Sequence, residues 1–202
     1  MKKDKKYVCC FEEGMFINEH SEEYKNKCCF SKQAEVVYRK FYDKHLFRYS
    51  MTCKLAGNGK PITVILMNPS YADEYGLDAT LTKVKEFLEK QDKYSEFEVL
   101  NIFPIRTPNS NNLISKMERY QKYQKQNNEY IKKILAKSEN ILIAWGSKYH
   151  KHATWIFEYL KEKNVYAYGI NKDQSPRHFA PQAYNRCKNV KNKKYELCLY
   201  KI

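Results

Sequence analysis

No apolar run in the 202 residues is long enough for a membrane span or for the h-region of a signal peptide. Neither a membrane partner nor a secretory leader is therefore expected, and a reducing cytoplasm is the expected compartment. Acidic residues are scarce: 23 Asp+Glu face 37 Lys+Arg, for a formal charge of +14 and a pI near 9.3. Such an excess favours polyanionic partners, namely nucleic acid or a nucleotide. Lysines alternating with polar residues are also how a solvated surface reads. The seven cysteines are odd in number. The doublets Cys9-Cys10 and Cys28-Cys29 flank His20 but lack the C-x-x-C spacing that lets two thiolates wrap one ion, so incidental thiols are expected and no metal. A P-loop, a dinucleotide glycine fingerprint and a zinc signature are all missing, so no cofactor is expected either.

What the chain does contain is a regular alternation. A helix is expected around Lys32 to Lys44, an edge strand over Phe47 to Leu55, and a turn at Ala56 to Pro61. "ITVILM" is a continuous apolar run, the mark of a strand covered on both faces. Asp78 precedes a helix whose Leu81, Val84, Phe87 and Leu88 keep helical spacing, and it is read first as the cap of that helix. "FEVLNIF", "ILIAWG" and "VYAYGI" read as three further strands. They are separated by a long helix over about Ser115 to Lys137 and another near Tyr149 to Lys163. "KKYELCLYKI" reads as a final edge strand. The length suits a single domain over residues 1–202, with residues 1–45 an irregular leading segment and residues 46–202 an α/β core. Strand–helix alternation with buried strands predicts a three-layer sandwich around a mostly parallel four-stranded sheet with edge strands.

In such folds ligands sit outside the carboxyl ends of the strands. Asn68, Ser70, Tyr71 and Asp73 leave the first of the four strands at that edge, Arg106 and Thr107 the second, and Trp145 and Gly146 the third. Arg177 and His178 leave the fourth. Trp145 has two readings, core residue or pocket wall. Asn101 inside an apolar run needs a partner, because a buried amide without one costs about 1–3 kcal/mol. His150 and His152 lie in a polar stretch and read as solvated.

At these residues the chain resembles a known family. "NPSYAD…DAT", "NIFPIRT", "NNEYIKKIL", "ILIAWGS" and "SPRH" together resemble a bacterial and phage family known as domain of unknown function 1643, over about Ile62 to Tyr184. A more distant similarity is to the uracil-DNA glycosylases, whose parallel sheet carries motifs in the same order. Met67-Asn68-Pro69 is similar to their I-N-P motif, in which the Asn positions the attacking water. "VLNIFPIRTPNS" is similar to the strand whose Asn reads the base edge, which points to Asn101. "IAWGS" is similar to their L-W-G strand end, and His178 stands where their catalytic His loop would fall. The chain departs from that pattern in reading His178-Phe179-Ala180 for His-Pro-Ser, in having Leu66 before the I-N-P-like motif, and in lacking a wedge segment.

The resemblance implies a uracil-DNA-glycosylase-like fold and a glycosylase-like protein that recognises a nucleobase in DNA or in a nucleotide, with cleavage of its N-glycosidic bond as the expected chemistry. Asn68 and His178 would be the catalytic pair: a neutral His178 donates to the departing base, while Asn68 orients water. Tyr71 or Phe103 could stack on the base. The rival reading is a non-catalytic module that sequesters or senses a nucleotide, using Arg106, Arg177 and nearby backbone amides for phosphate.

Overall fold

The structure, a computed structural model, describes residues 7–9, 16–18, 36–42, 47–70, 72, 77–111 and 113–202, the first three segments by backbone alone. β1 (Tyr7–Cys9) and β2 (Phe16–Asn18) pair antiparallel as a separate ribbon. The other strands are β3 (Val36–Tyr42), β4 (Phe47–Lys54), β5 (Lys60–Leu66), β6 (Tyr94–Asn101), β7 (Asn140–Ile143), β8 (Asn164–Ala167) and β9 (Cys198–Leu199). They form one mixed sheet in the order β3-β4-β6-β5-β7-β8-β9. β6, β5, β7 and β8 run parallel to their neighbours in that row, and β3, β4 and β9 join antiparallel at the flanks. An α/β domain is thus what the alternation predicted.

Over Ile62–Leu66 and Ile141–Ile143, Thr63 apart, β5 and β7 are apolar on both faces because helices cover both. Ile62, Val64, Leu66, Phe97, Val99, Leu142 and Ala144 pack one face against Leu81, Val84, Phe87 and Leu88 of α1 (Ala79–Glu89). Tyr184 of α4 (Pro181–Arg186) and Phe179 close that layer; α5 (Lys188–Lys191) follows α4 in the chain. The opposite face buries Ile65, Leu100, Ile141 and Ile143 under α2 (Leu113–Arg119) and α3 (Gln121–Leu135).

Several sequence expectations are corrected. Residues 36–42 form a strand, not a helix; "VVYRKFY" is β-branched and aromatic, and β4 offers it a free edge. β4 consequently lies inside the sheet rather than at its edge. The long helix breaks at Tyr120 (φ −119°, ψ 35°), whose ring lies edge-on to Phe47 at 5.2 Å while Tyr123 stacks on the same ring at 4.2 Å. The segment after β7 forms two 3-10 turns, His150–His152 and Thr154–Tyr159, instead of an α-helix; Thr154, Trp155, Ile156 and Phe157 are all poor helix formers. His150 is not merely solvated, because it accepts a hydrogen bond from the Trp145 indole.

One irregularity re-aims a charge. The β3–β4 register shifts between Lys40↔Ser50 and Phe41↔Arg48, so Tyr49 is an extra residue on β4. This β-bulge lets Phe47 and Tyr49 face the α3 layer while Arg48 faces the α1 layer beside Met51, whose sulfur its Nη1 meets at 3.8 Å.

Candidate functional site

The carboxyl ends of β5 and β6 are zipped together beyond the strands themselves. Ile102 N–H donates to Leu66 O, Phe103 N–H to Met67 O and Thr107 N–H to Pro69 O, each at 2.9 Å. Their connections then diverge, β5 leading to α1 on one face and β6 to α2 on the other. A crevice opens where two adjacent parallel strands part in this way. It holds a cavity of about 300 Å³ lined by Arg48, Leu66, Asn68, Ser70, Asp78, Thr80, Thr107, Ser110 and His178, among others. That volume is at the small end for a ligand pocket.

Asn68 is fixed by its own amide. Nδ2 donates to Pro69 O at 2.8 Å and to Thr107 O at 2.7 Å, which spends both of its hydrogens. Two carbonyl acceptors leave no choice of amide orientation, so Oδ1 is the atom left over. It has no partner among the described residues, and it is an acceptor.

His178 is fixed in tautomer. The Ala180 N–H donates to its Nδ1 at 2.9 Å, and burial holds the ring's pKa below the usual histidine value, with the Asp78 carboxylate opposing that shift. In the neutral ring the proton therefore sits on Nε2, a donor. Behind the ring stands Gly146, at φ +80°. A Cβ added there would lie 3.2 Å from the His178 Cβ. Gly146 N–H also donates to Pro176 O at 3.0 Å, so the loops after β7 and β8 are clasped together. Tyr168, fully buried and with its hydroxyl pKa pushed well up by that burial, donates to His178 O at 2.6 Å. The histidine is thus held from its main chain, its ring and its back.

Asp78 is the N-cap of α1: its Oδ1 accepts from Leu81 N–H at 2.9 Å. It also lines the cavity, a position the capping reading did not anticipate. Arg48 was missed altogether, although a single Arg inside the apolar strand "FRYSMTC" was a visible signal. Its guanidinium donates to Ala72 O at 2.7 Å, and the side chain is buried. Arg106 is buried beneath the same loop, with Nε on Ser70 O at 3.3 Å and Nη2 on Ala72 O at 3.5 Å. Two arginines thereby grip the main-chain oxygens of Ser70 and Ala72.

The other expected residues divide. Ser70 and Thr107 line the cavity with Asn68 and His178. Tyr71 and Asp73 lie outside the described residues, as do the side chains of the cysteine doublets. Trp145 is core: it packs on the α3 side of the sheet, with Nε1 donating to His150 Nδ1 at 3.0 Å. Arg177 turns to α4, with Nη1 on Ala183 O at 3.4 Å, and does not line the cavity. Asn101 is fully buried on the α1 face beside Leu66, its register partner, and does not line the cavity; neither atom of its amide has a partner among the described residues. Its main-chain oxygen accepts from Asn127 Nδ2 at 2.8 Å. Among the described residues no three His, Cys, Asp or Glu side chains gather as metal ligands, and no helix is long and apolar enough to cross a membrane.

No curated protein and no solved structure matches the chain. A family profile does, over residues 48–179, a span that starts at the re-aimed Arg48 and ends just past His178. The chain belongs to the family described as Protein of unknown function (DUF1643).

Proposed function

We propose that the cavity at the β5–β6 crevice binds a nucleobase, presented by a nucleotide or by DNA, and hydrolyses its N-glycosidic bond. One observation carries the reading: a fixed acceptor, Asn68 Oδ1, and a fixed neutral donor, His178 Nε2–H, share one small cavity. Hydrolysis adds water to the sugar carbon, breaks the carbon–nitrogen bond and releases the base with one proton. Asn68 Oδ1 holds the water. His178 Nε2–H meets the departing nitrogen base as negative charge grows on it, a contact worth most in a site that excludes water. Asp78, whose charge already acts on His178, stabilises the cationic sugar and takes the proton that the water loses. A neutral imidazole beside a carboxylate suits a departing anion and a cationic sugar better than it suits a bound phosphate.

The similarity to uracil-DNA glycosylases belongs to this proposal, as does base reading by Asn101. Its amide is fully buried outside the cavity lining and has no partner among the described residues, so both a donor and an acceptor stay available for the edge of a pyrimidine that reaches past Leu66. The sequestering alternative relied on Arg106 and Arg177 for phosphate. Both guanidinium groups donate to main-chain carbonyls and neither residue lines the cavity, which favours the hydrolase.

The test is base release from nucleotides and from single-stranded and mismatched oligonucleotides, followed by chromatography. Asn68→Ala is expected to lower turnover by about a hundredfold or more while substrate affinity changes little, because the held water matters mainly in the transition state. Wild-type protein that binds a nucleotide tightly and releases no base from any substrate overturns the proposal.

A further inference from the structure

The base-binding reading leaves open where the phosphate of such a ligand would lie. Inside the cavity the charged side chains of the described lining are already engaged. Asp78 lines the interior with a carboxylate, and the same carboxylate already occupies the N-terminus of α1, which would otherwise attract an anion. Arg48 is buried, with its guanidinium on Ala72 O.

The mouth differs. Ser110, on the loop that follows β6, lines the cavity, and its main-chain oxygen accepts from the Tyr149 hydroxyl. Next to Tyr149 in the chain, exposed Lys148 extends from the loop after β7 across the same segment. Its Nζ donates to Asn111 Oδ1 at 2.7 Å and lies 3.4 Å from Ser110 Oγ. No carboxylate pairs with Lys148 among the described residues. An ammonium held by neutral oxygens beside cavity-lining Ser110 meets no carboxylate among the described residues and keeps a hydrogen to donate, and the hydroxyl and amide beside it add further donors.

We propose that Lys148, with Ser110 and Asn111, forms a phosphate subsite at the cavity rim, so that the ligand is a nucleotide or a phosphodiester and not a free nucleoside or base. This rests on the base-binding reading of the cavity and specifies its substrate class. Asp78 opposes a phosphate inside the cavity, where Arg48 is already engaged with Ala72 O, and the Lys148 ammonium beside Ser110 receives it outside, so the neutral base points in.

Calorimetry tests it with the wild-type protein at low salt. The probes are deoxyuridine, deoxycytidine, thymidine, deoxyadenosine and deoxyguanosine, each beside its 3′- and 5′-monophosphates. At least one nucleotide is expected to bind about tenfold or more tightly than its nucleoside, as a charge-assisted contact at an exposed rim would give. Lys148→Met is expected to remove that preference and leave nucleoside affinity unchanged, and Lys148→Arg to retain it. Nucleoside and nucleotide binding equally well would overturn the subsite while leaving the cavity's base reading intact. Equal loss of both ligands in Lys148→Met would make Lys148 a clasp between loops and likewise overturn it. Binding of neither class by the wild type would sink the base reading itself, and the subsite with it.

Discussion

Gly146→Ala probes the clasp behind His178 with a single carbon atom. Two costs are separable. At φ +80° the backbone is in the left-handed region, where an L side chain costs about 1–2 kcal/mol. The added Cβ would also stand 3.2 Å from the His178 Cβ and 3.9 Å from its Cγ, the first inside ordinary carbon–carbon contact. Backbone strain alone predicts a melting temperature lowered by roughly 2–8 °C for a domain of this size. The steric contact predicts something strain does not, namely that His178 gives way toward the cavity by a few tenths of an ångström. Burial is what depresses the ring's pKa, so that retreat raises it toward the usual histidine value. Urea denaturation measures the first effect, and an NMR titration of the His178 ring measures the second. Gly146→Asn sorts them, because Asn tolerates the left-handed region yet carries the same Cβ. It should recover part of the stability while the His178 pKa still rises. Ala and Asn variants with an unchanged histidine titration would refute the contact, and an Ala variant as stable as the wild type would refute the strain.

Three further outcomes follow from the same geometry. Asn68→Asp presents a carboxylate to two carbonyl oxygens where an amide donated, so at neutral pH it should destabilise more than Asn68→Ala. Its folded-state pKa is raised, so the loss should shrink as pH falls and the acid gains a proton to donate; urea melts at neutral and acid pH check this. His178 is held neutral, with a folded pKa below its unfolded one. Below the ordinary value of about 6.5 the unfolded chain binds more protons. The His178 contribution is therefore complete above that value and declines as pH falls toward the depressed one, and comparison with His178→Gln should show that slope removed. Asn101→Leu replaces an amide with no partner by an apolar side chain of similar size. Calorimetric melting should show a gain of roughly 1–3 kcal/mol, accompanied by loss of nucleobase binding.

Which parts of this architecture can be read from residues depends on whether the relevant physics is local. β5 and β7 are legible because strands covered on both faces must be apolar almost throughout, as Ile62–Leu66 (but for Thr63) and Ile141–Ile143 are. The Asp78 cap is legible because its partner is three residues away. Asn68 and His178 are legible as neighbours because parallel strands end at one edge. Trp145 also sits at a strand exit, but side chains there alternate between faces. It points to the α3 layer, one residue out of phase with Ala144 on the cavity's side of the sheet. The break at Tyr120 is illegible for the opposite reason: its cause, the ring of Phe47, is distant in sequence. Arg48 needed the bulge, and a bulge is a property of two paired strands.

That extra residue at Tyr49 makes β4 intolerant of regular pairing at its present length. The strand is read in two frames, one on each side of Tyr49. Pairing β4 with β3 without the bulge, all residues kept, would merge them, turning Phe47 off its stack with Tyr123 and sending the charged end of Arg48 into the apolar layer beneath α3, whereas removing Tyr49 along with the bulge would leave both side chains on their own faces. Ala72 O would lose its closest donor at the same stroke. Substitutions along β4 act one side chain at a time, whereas a β4 that lost its bulge at the same length would exchange the roles of the two helical layers over its first residues.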